Sequence, residues 1–304
     1  MVTEQVHIDF RDQIFRNKIK SVFLFVLIFA VFLVLGFVIS VAYDPSLMFF
    51  IMIFAIIISM IYLVTGYYYS DKIALSSVSA KPADPRLHKQ YYDLVEGLTL
   101  ASGLPMPKLY VMNDNNINAF ATGRNPKNAV ICVTTGALEK LDKKELEGVL
   151  AHELGHIASF DIRFMTLTAV LVGMIAIISE IYLRSLWMNS RDSDSKGNII
   201  FIIIGIVLAI LAPLLTQLIQ LAISRKREFA ADATAVRFTR YPDGLISALK
   251  KIDSTYSENQ SSEKKKIPKA LAPLFISTPY KESLMNLFST HPPIKARVSA
   301  LERM

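Results

Sequence analysis

Four long apolar blocks constrain this chain more than any other feature. Ser21 to Ala42 and Leu47 to Tyr69 carry no charge, Phe164 to Tyr182 carries only Glu180, and Ile199 to Ile223 again carries none. Their lengths are 22, 23, 19 and 25 residues, and a helix needs about 20 to cross a bilayer core. Each block is apolar all round, which suits lipid and not a one-sided core stripe. The first block is too long for the apolar region of a signal peptide, and a second block follows within a few residues. The two therefore read as an uncleaved hairpin.

Composition agrees with that reading. Hydrophobic residues make up 52% of the chain and charged ones only 19%, below the roughly 25% of a soluble domain. The net charge of +7 suits either nucleic acid or a membrane protein's oriented flanks. Its distribution favours the second. Arg11, Arg16, Lys18 and Lys20 precede the first block, only Asp44 lies between the first two, and Arg225, Lys226 and Arg227 follow the fourth. The positive-inside rule then places both termini and the stretch from Ser70 to Arg163 in the cytoplasm. The expected organisation is a cytoplasmic segment (1–20), a transmembrane hairpin (21–69), a first cytoplasmic part (70–163), a second hairpin (164–223) and a second cytoplasmic part (224–304). The third and fourth blocks have an alternative, an apolar hairpin buried within the protein. Glu180 and Arg184, four apart, read as an interfacial ion pair or as part of an ion pathway.

Between the hairpins the spacing predicts a helix over Arg86 to Ser102, ending at Gly103-Leu104-Pro105. Short strands follow at Lys108–Met112, Ala119–Thr122 and Ala129–Val133. Cys132, in the last of these, reads as a small buried residue. Asp142 and Glu145 form a capping-box pattern ahead of a helix whose apolar face is Leu146, Val149, Leu150, Leu154 and Ile157. A further helix is expected over Glu228–Arg240, a polar surface segment over Ser254–Lys266, and a short terminal helix after Pro293.

The capped helix carries His152-Glu153-Leu154-Gly155-His156. Residues four apart leave a helix about 40° apart, so both imidazoles share one face, one turn from each other. That spacing lets two nitrogens reach one Zn²⁺, with Glu153 beside the ion to take a proton from a water made acidic by the metal. A catalytic zinc needs a third protein ligand. The single cysteine and the isolated His7, His88 and His291 do not supply it. The fourth block returns the chain to the same face, so Glu228 is the candidate third ligand. Asp232, one turn on, is the carboxylate expected to orient a ligand histidine.

These residues resemble the HtpX-type membrane zinc endopeptidases, relatives of the CAAX prenyl proteases. The resemblance runs through Gly103-Leu104-Pro105-Met106-Pro107, Asn118-Ala119-Phe120-Ala121-Thr122-Gly123, the HELGH helix, Arg227-Glu228-Phe229-Ala230-Ala231-Asp232 and Ser289-Thr290-His291-Pro292-Pro293. It implies one Zn²⁺ held by His152, His156 and Glu228, with Glu153 as catalytic base. Asn118, Ala119 and Phe120 resemble the edge strand that pairs with an extended substrate. His291 is a candidate for oxyanion stabilisation or a plain loop residue before two prolines, and Arg297 is expected to pair nearby with Asp232. The polar stretch around Ser254 to Lys266 departs from the family pattern.

The expected fold is a mainly α integral membrane protein, with four transmembrane helices and a cytoplasmic α+β zincin-like metalloprotease domain holding a small sheet. The expected activity is zinc-dependent hydrolysis of peptide bonds in misfolded or damaged proteins of the cell membrane, with lipid and membrane-protein substrates as partners. Three alternatives are a CAAX-type processing protease, a four-span transporter and a nucleic-acid binder. The last lacks a basic, aromatic-bearing face.

Overall fold

The computed structural model describes residues 10–171, 173, 225–258, 271, 274–277 and 292–304. The fourth apolar block, Glu180, Arg184, His291 and most of the polar stretch beyond residue 258 lie outside the described residues.

The first two apolar blocks form long helices, α1 (Phe10–Tyr43) and α2 (Met48–Ser77), joined by a tight turn that Asp44 caps through the Ser46 N–H. Both are long and apolar enough to cross a membrane. Large side chains such as Phe49, Phe50 and Phe54 point outward along α2, as lipid-facing residues do. Each helix runs beyond its apolar block at the end where the basic residues lie. Backbone hydrogen bonding continues there although the side chains turn polar.

Four strands make a small mixed sheet: β1 (Lys81–Pro82), β2 (Lys108–Met112), β3 (Ala119–Gly123) and β4 (Ala129–Thr134). Their order is β1-β2-β4-β3, with β2 and β4 parallel and the outer pairs antiparallel. Helix α3 (Lys89–Ser102) starts three residues later than the spacing suggests. Asp84 caps a turn there by accepting from the Arg86 N–H. Leu100 faces outward, while Tyr91, Leu94, Val95 and Leu98 are buried. After β4 come α4 (Thr135–Lys140), α5 (Lys143–Ala158) and α6 (Asp161–Leu171), the last bent 86° away from α5. The C-terminal part supplies α7 (Arg225–Thr239), α8 (Asp243–Glu258) and α9 (Ile294–Leu301).

The sheet is covered on both faces, which explains the unbroken apolar run of β4. On one face Ala129, Ile131 and Val133 pack with α3, α5 and α8. On the other, Val130, Cys132 and Phe120 pack with the end of α2 and with Met165, Ala169 and Val170 of α6. Phe164, Leu167 and Leu171 of α6 meet Leu24 and Ile28 of α1 and Tyr62 of α2. The sheet thus sits on the ends of the apolar helices. The described part of the third apolar block is buried against α1, α2 and the sheet.

Candidate metal centre

Helix α5 begins at a reciprocal cap. Asp142 accepts from the Glu145 N–H at 2.9 Å and Glu145 accepts from the Asp142 N–H at 2.8 Å. Its apolar face then drives the helix through the middle of the domain, so His152, Glu153 and His156 are buried although all three are polar. Two glycines permit this depth. A Cβ on Gly148 would lie 2.5 Å from the Leu245 backbone, and one on Gly155 would lie 3.1 Å from the Ala231 carbonyl. The second approach brings α7, and with it Glu228, up to the histidines.

The two Nε2 atoms face each other at 3.2 Å, and the Glu228 carboxylate lies 3.7 Å from His152 and 3.6 Å from His156. The nearest donor atoms of the three residues fall within 4.8 Å of one another. Each imidazole is oriented from behind. His152 Nδ1 is 2.9 Å from Asp232, and His156 Nδ1 is 3.3 Å from Asp161. With each Nδ1 turned to a carboxylate, the Nε2 atoms are the ring nitrogens left to converge on the space between the helices. A shared proton or a bound metal ion satisfies both nitrogens at this distance. Donors bound tetrahedrally at about 2.0–2.1 Å stand roughly 3.3–3.4 Å apart, so the distances and the nitrogen–nitrogen–carboxylate set both fit Zn²⁺.

The surrounding groups are arranged by charge. Arg297, fully buried, donates to Asp232 through Nε at 2.9 Å and Nη2 at 2.6 Å, and reaches the Ile276 carbonyl. Burial would raise the Asp232 carboxyl, but the Arg297 charge and the His152 hydrogen bond outweigh it and hold it at about 2. Burial and the same guanidinium push His152 down to about 4, so its imidazole stays neutral. For His156, burial is outweighed by the Asp161 hydrogen bond and the Glu228 charge, which lift it to about 9. Burial raises Glu153 to about 7 despite the His156 charge. One Glu153 oxygen is buried without a hydrogen-bond partner, and the carboxylate also accepts from the Ala121 N–H of β3.

His152, Glu153, His156, Glu228 and Asp232 thus meet at one place, with Arg297 on Asp232. Asn118, Ala119 and Phe120 begin the outer edge of the sheet, yet that edge already touches the protein's own chain. The Ile276 N–H donates to the Ala119 carbonyl at 2.9 Å, Phe120 stacks on Phe275 with centroids 4.9 Å apart, and the Asn118 amide grips the Ser277 backbone. Cys132 is buried in β4, which raises its thiol above the usual range and leaves it inert.

Sequence reasoning missed Asp161, Asn17 and the inner role of Arg227. Asp161 is the one carboxylate between His156 and the third apolar block, and that isolation was its signal. Arg227 counts as a solvated orienting charge in the sequence. In the structure it is buried and lies 3.6 Å from Asp161.

The profile of peptidase family M48 matches residues 83–304. A "Protease HtpX homolog" of Caldanaerobacter subterraneus subsp. tengcongensis is 44% identical over 257 residues, covering 83% of this chain and 84% of that protein. Another, of Streptococcus gordonii, is 38% identical over 300 residues, covering 96% and 99%. The crystal structure of S. mikatae Ste24p superposes with a TM-score of 0.49 at 21% identity, covering 95% of this chain and 66% of that one.

Proposed function

The chain belongs to peptidase family M48 as an HtpX-type membrane metalloendopeptidase, and on that premise we propose that it cleaves misfolded or damaged membrane proteins at the cytoplasmic face of the cell membrane. The observation that carries the proposal is the convergence of His152, His156 and Glu228 with Glu153 beside them. In this reading His152, His156 and Glu228 hold one Zn²⁺ per chain. When bound, the ion polarises the scissile carbonyl and makes water acidic.

Glu153 takes the proton of the attacking water and hands it to the departing amine nitrogen. Its burial favours that exchange, because a carboxyl near neutral pKa can both accept and release a proton. The backbone of β3 holds the substrate extended, and the Ala121 N–H keeps Glu153 in place beside it. A peptide paired along this edge competes for the rung that Ile276 makes with Ala119. Arg297 holds Asp232, which holds His152.

Four membrane spans with both termini inside are part of this proposal. Supporting it, Lys18, Lys20, Lys72, Arg124 and Arg163 lie over aromatic rings where α1 and α2 meet the catalytic domain. Such a basic and aromatic rim is expected at a cytoplasmic membrane surface. The test compares membranes carrying wild-type or Glu153→Gln protein. Membrane proteins that gain fragments only with the wild type support the proposal, and cleavage confined to a prenylated C-terminal peptide overturns it. Metal analysis should find about one zinc per chain, lost in His152→Ala.

A further inference from the structure

Asn17 stands at the start of the first membrane-spanning stretch, where a polar amide buried to 4% exposure needs a partner. Its Nδ2 donates to Asp161 Oδ1 at 2.6 Å and lies 3.2 Å from the Ser159 carbonyl. Both partners only accept, which settles the orientation of the amide. The other Asp161 oxygen accepts from the Ser159 hydroxyl at 2.8 Å and faces His156 Nδ1 at 3.3 Å. A single carboxylate therefore ties the foot of α1 to a ligand imidazole 139 residues away in sequence.

The corner that presents Asp161 is unusual. Phe160 has φ of 60°, a left-handed conformation that a bulky side chain adopts at a cost. That residue turns the chain through the 86° bend between α5 and α6 and so brings Asp161 back under His156. The foot of α1 covers the corner, with Lys18 over the Phe160 ring at 5.4 Å and Lys20 over the Phe164 ring at 5.9 Å. Ser21, one turn on, donates to the Asn17 carbonyl and, among the described residues, makes no hydrogen bond to the site.

We propose that Asn17 is a positioning residue for the metal centre: by fixing Asp161 it fixes His156, so the ion is held tightly only while the first membrane helix is docked against the catalytic domain. This rests on the zinc assignment above. Outer partners of metal-bound histidines are typically worth about 10–100-fold in metal affinity, and Asn17 acts one bond further out. The bilayer-inserted hairpin thereby becomes part of the metal site.

The test uses the full-length chain in lipid nanodiscs, with zinc affinity measured by competition against a chromophoric chelator and the visible bands of the cobalt-loaded protein recorded in parallel. Asn17→Ala should weaken zinc binding by about 10-fold and shift the cobalt bands. Asn17→Gln, which keeps the amide, should recover most of the affinity, and Ser21→Ala should change neither reading. Asn17→Ala should add nothing to Asp161→Asn, since both cut the same chain of contacts. Should the alanine variant fail to accumulate, Asn17→Thr, too short to reach Asp161, gives the same reading. Unchanged affinity and bands in either short variant overturn the inference. If His152→Ala abolishes zinc binding while Asn17→Ala leaves it unchanged, this inference alone fails. If zinc binding ignores His152→Ala, the metal assignment beneath it fails.

Discussion

The two histidines of the candidate metal centre are one helical turn apart, yet they are held in opposite electrostatic settings. Behind His152, Asp232 is neutralised by a bidentate guanidinium from α9, and the imidazole is kept neutral. Behind His156, the positive charge facing Asp161 among the described residues is the more distant Arg227 at 3.6 Å, while Glu228 and Glu153 add further negative charge. One side is a closed ion pair within the C-terminal helices. The other is an acidic hub shared by α5, α7 and the first membrane helix. The contrast shows how a buried site can be rigid on one side and electron-rich on the other. The paired side keeps its imidazole neutral, and the acidic side would favour a cation.

The comparison breaks most readily at its two arginines. Removing Arg297 strands Asp232 without its counter-charge in a fully buried place, and Arg297→Ala should cost about 3–5 kcal/mol of stability. Arg227→Ala, losing a longer contact nearer solvent, should cost about 1–2 kcal/mol. Denaturant unfolding measures both, and equal losses would show the two sides to be alike.

The carboxylates sharpen the contrast further. Asp232→Asn and Asp161→Asn should each weaken zinc binding by about 10–100-fold. Only Asp232→Asn should also lower the melting temperature clearly, because it leaves Arg297 buried and half-paired. Metal titration with thermal unfolding separates the two behaviours, and a large melting loss in Asp161→Asn would count against the asymmetry.

Smaller effects arise away from the histidines. At the start of α5 burial would raise the Glu145 carboxyl, but hydrogen bonds from Lys251, Ser247 and the Asp142 N–H hold it below the ordinary value. A carboxyl depressed in the folded state stabilises above its unfolded pKa of about 4.3 and loses that contribution as pH falls through its folded pKa. Stability followed against pH should show wild type exceeding Lys251→Met above about pH 4.3, with the gap closing in more acid solution. A gap that widens there would contradict the assigned direction. The smallest effect is expected at the α5–α6 corner. Phe160→Gly relieves the left-handed backbone but gives up the contact with Lys18. A net gain of about 0.5 kcal/mol is expected in thermal unfolding, and a loss would mean that the ring packing outweighs the strain.

Much of this protein is written locally. The apolar blocks of α1 and α2, strands β2, β3 and β4, the Asp142–Glu145 cap and the His152–His156 pair all follow from spacings of a few residues. Glu228 was reachable because the expected return of the fourth apolar block to the same face confines where the chain re-emerges, and Asp232 because it lies one turn beyond. Two helix starts differ from the spacing: α3 begins three residues after Arg86, where Asp84 first caps a turn, and α1 begins at Phe10, ahead of the apolar block at Ser21, because a helix continues past the apolar residues that signal it.

Other features depend on contacts between distant segments. Asn17 meeting Asp161, Arg227 turning inward and the Phe275–Ser277 segment lying against β3 have no period or motif of their own. Helical geometry obliges residues four apart to share a face, so the metal-binding chemistry could be read from the chain alone. No comparable rule selects which far-off amide satisfies a buried carboxylate. That choice follows from how α1, α6 and α7 pack, and it decides how the ligands are held.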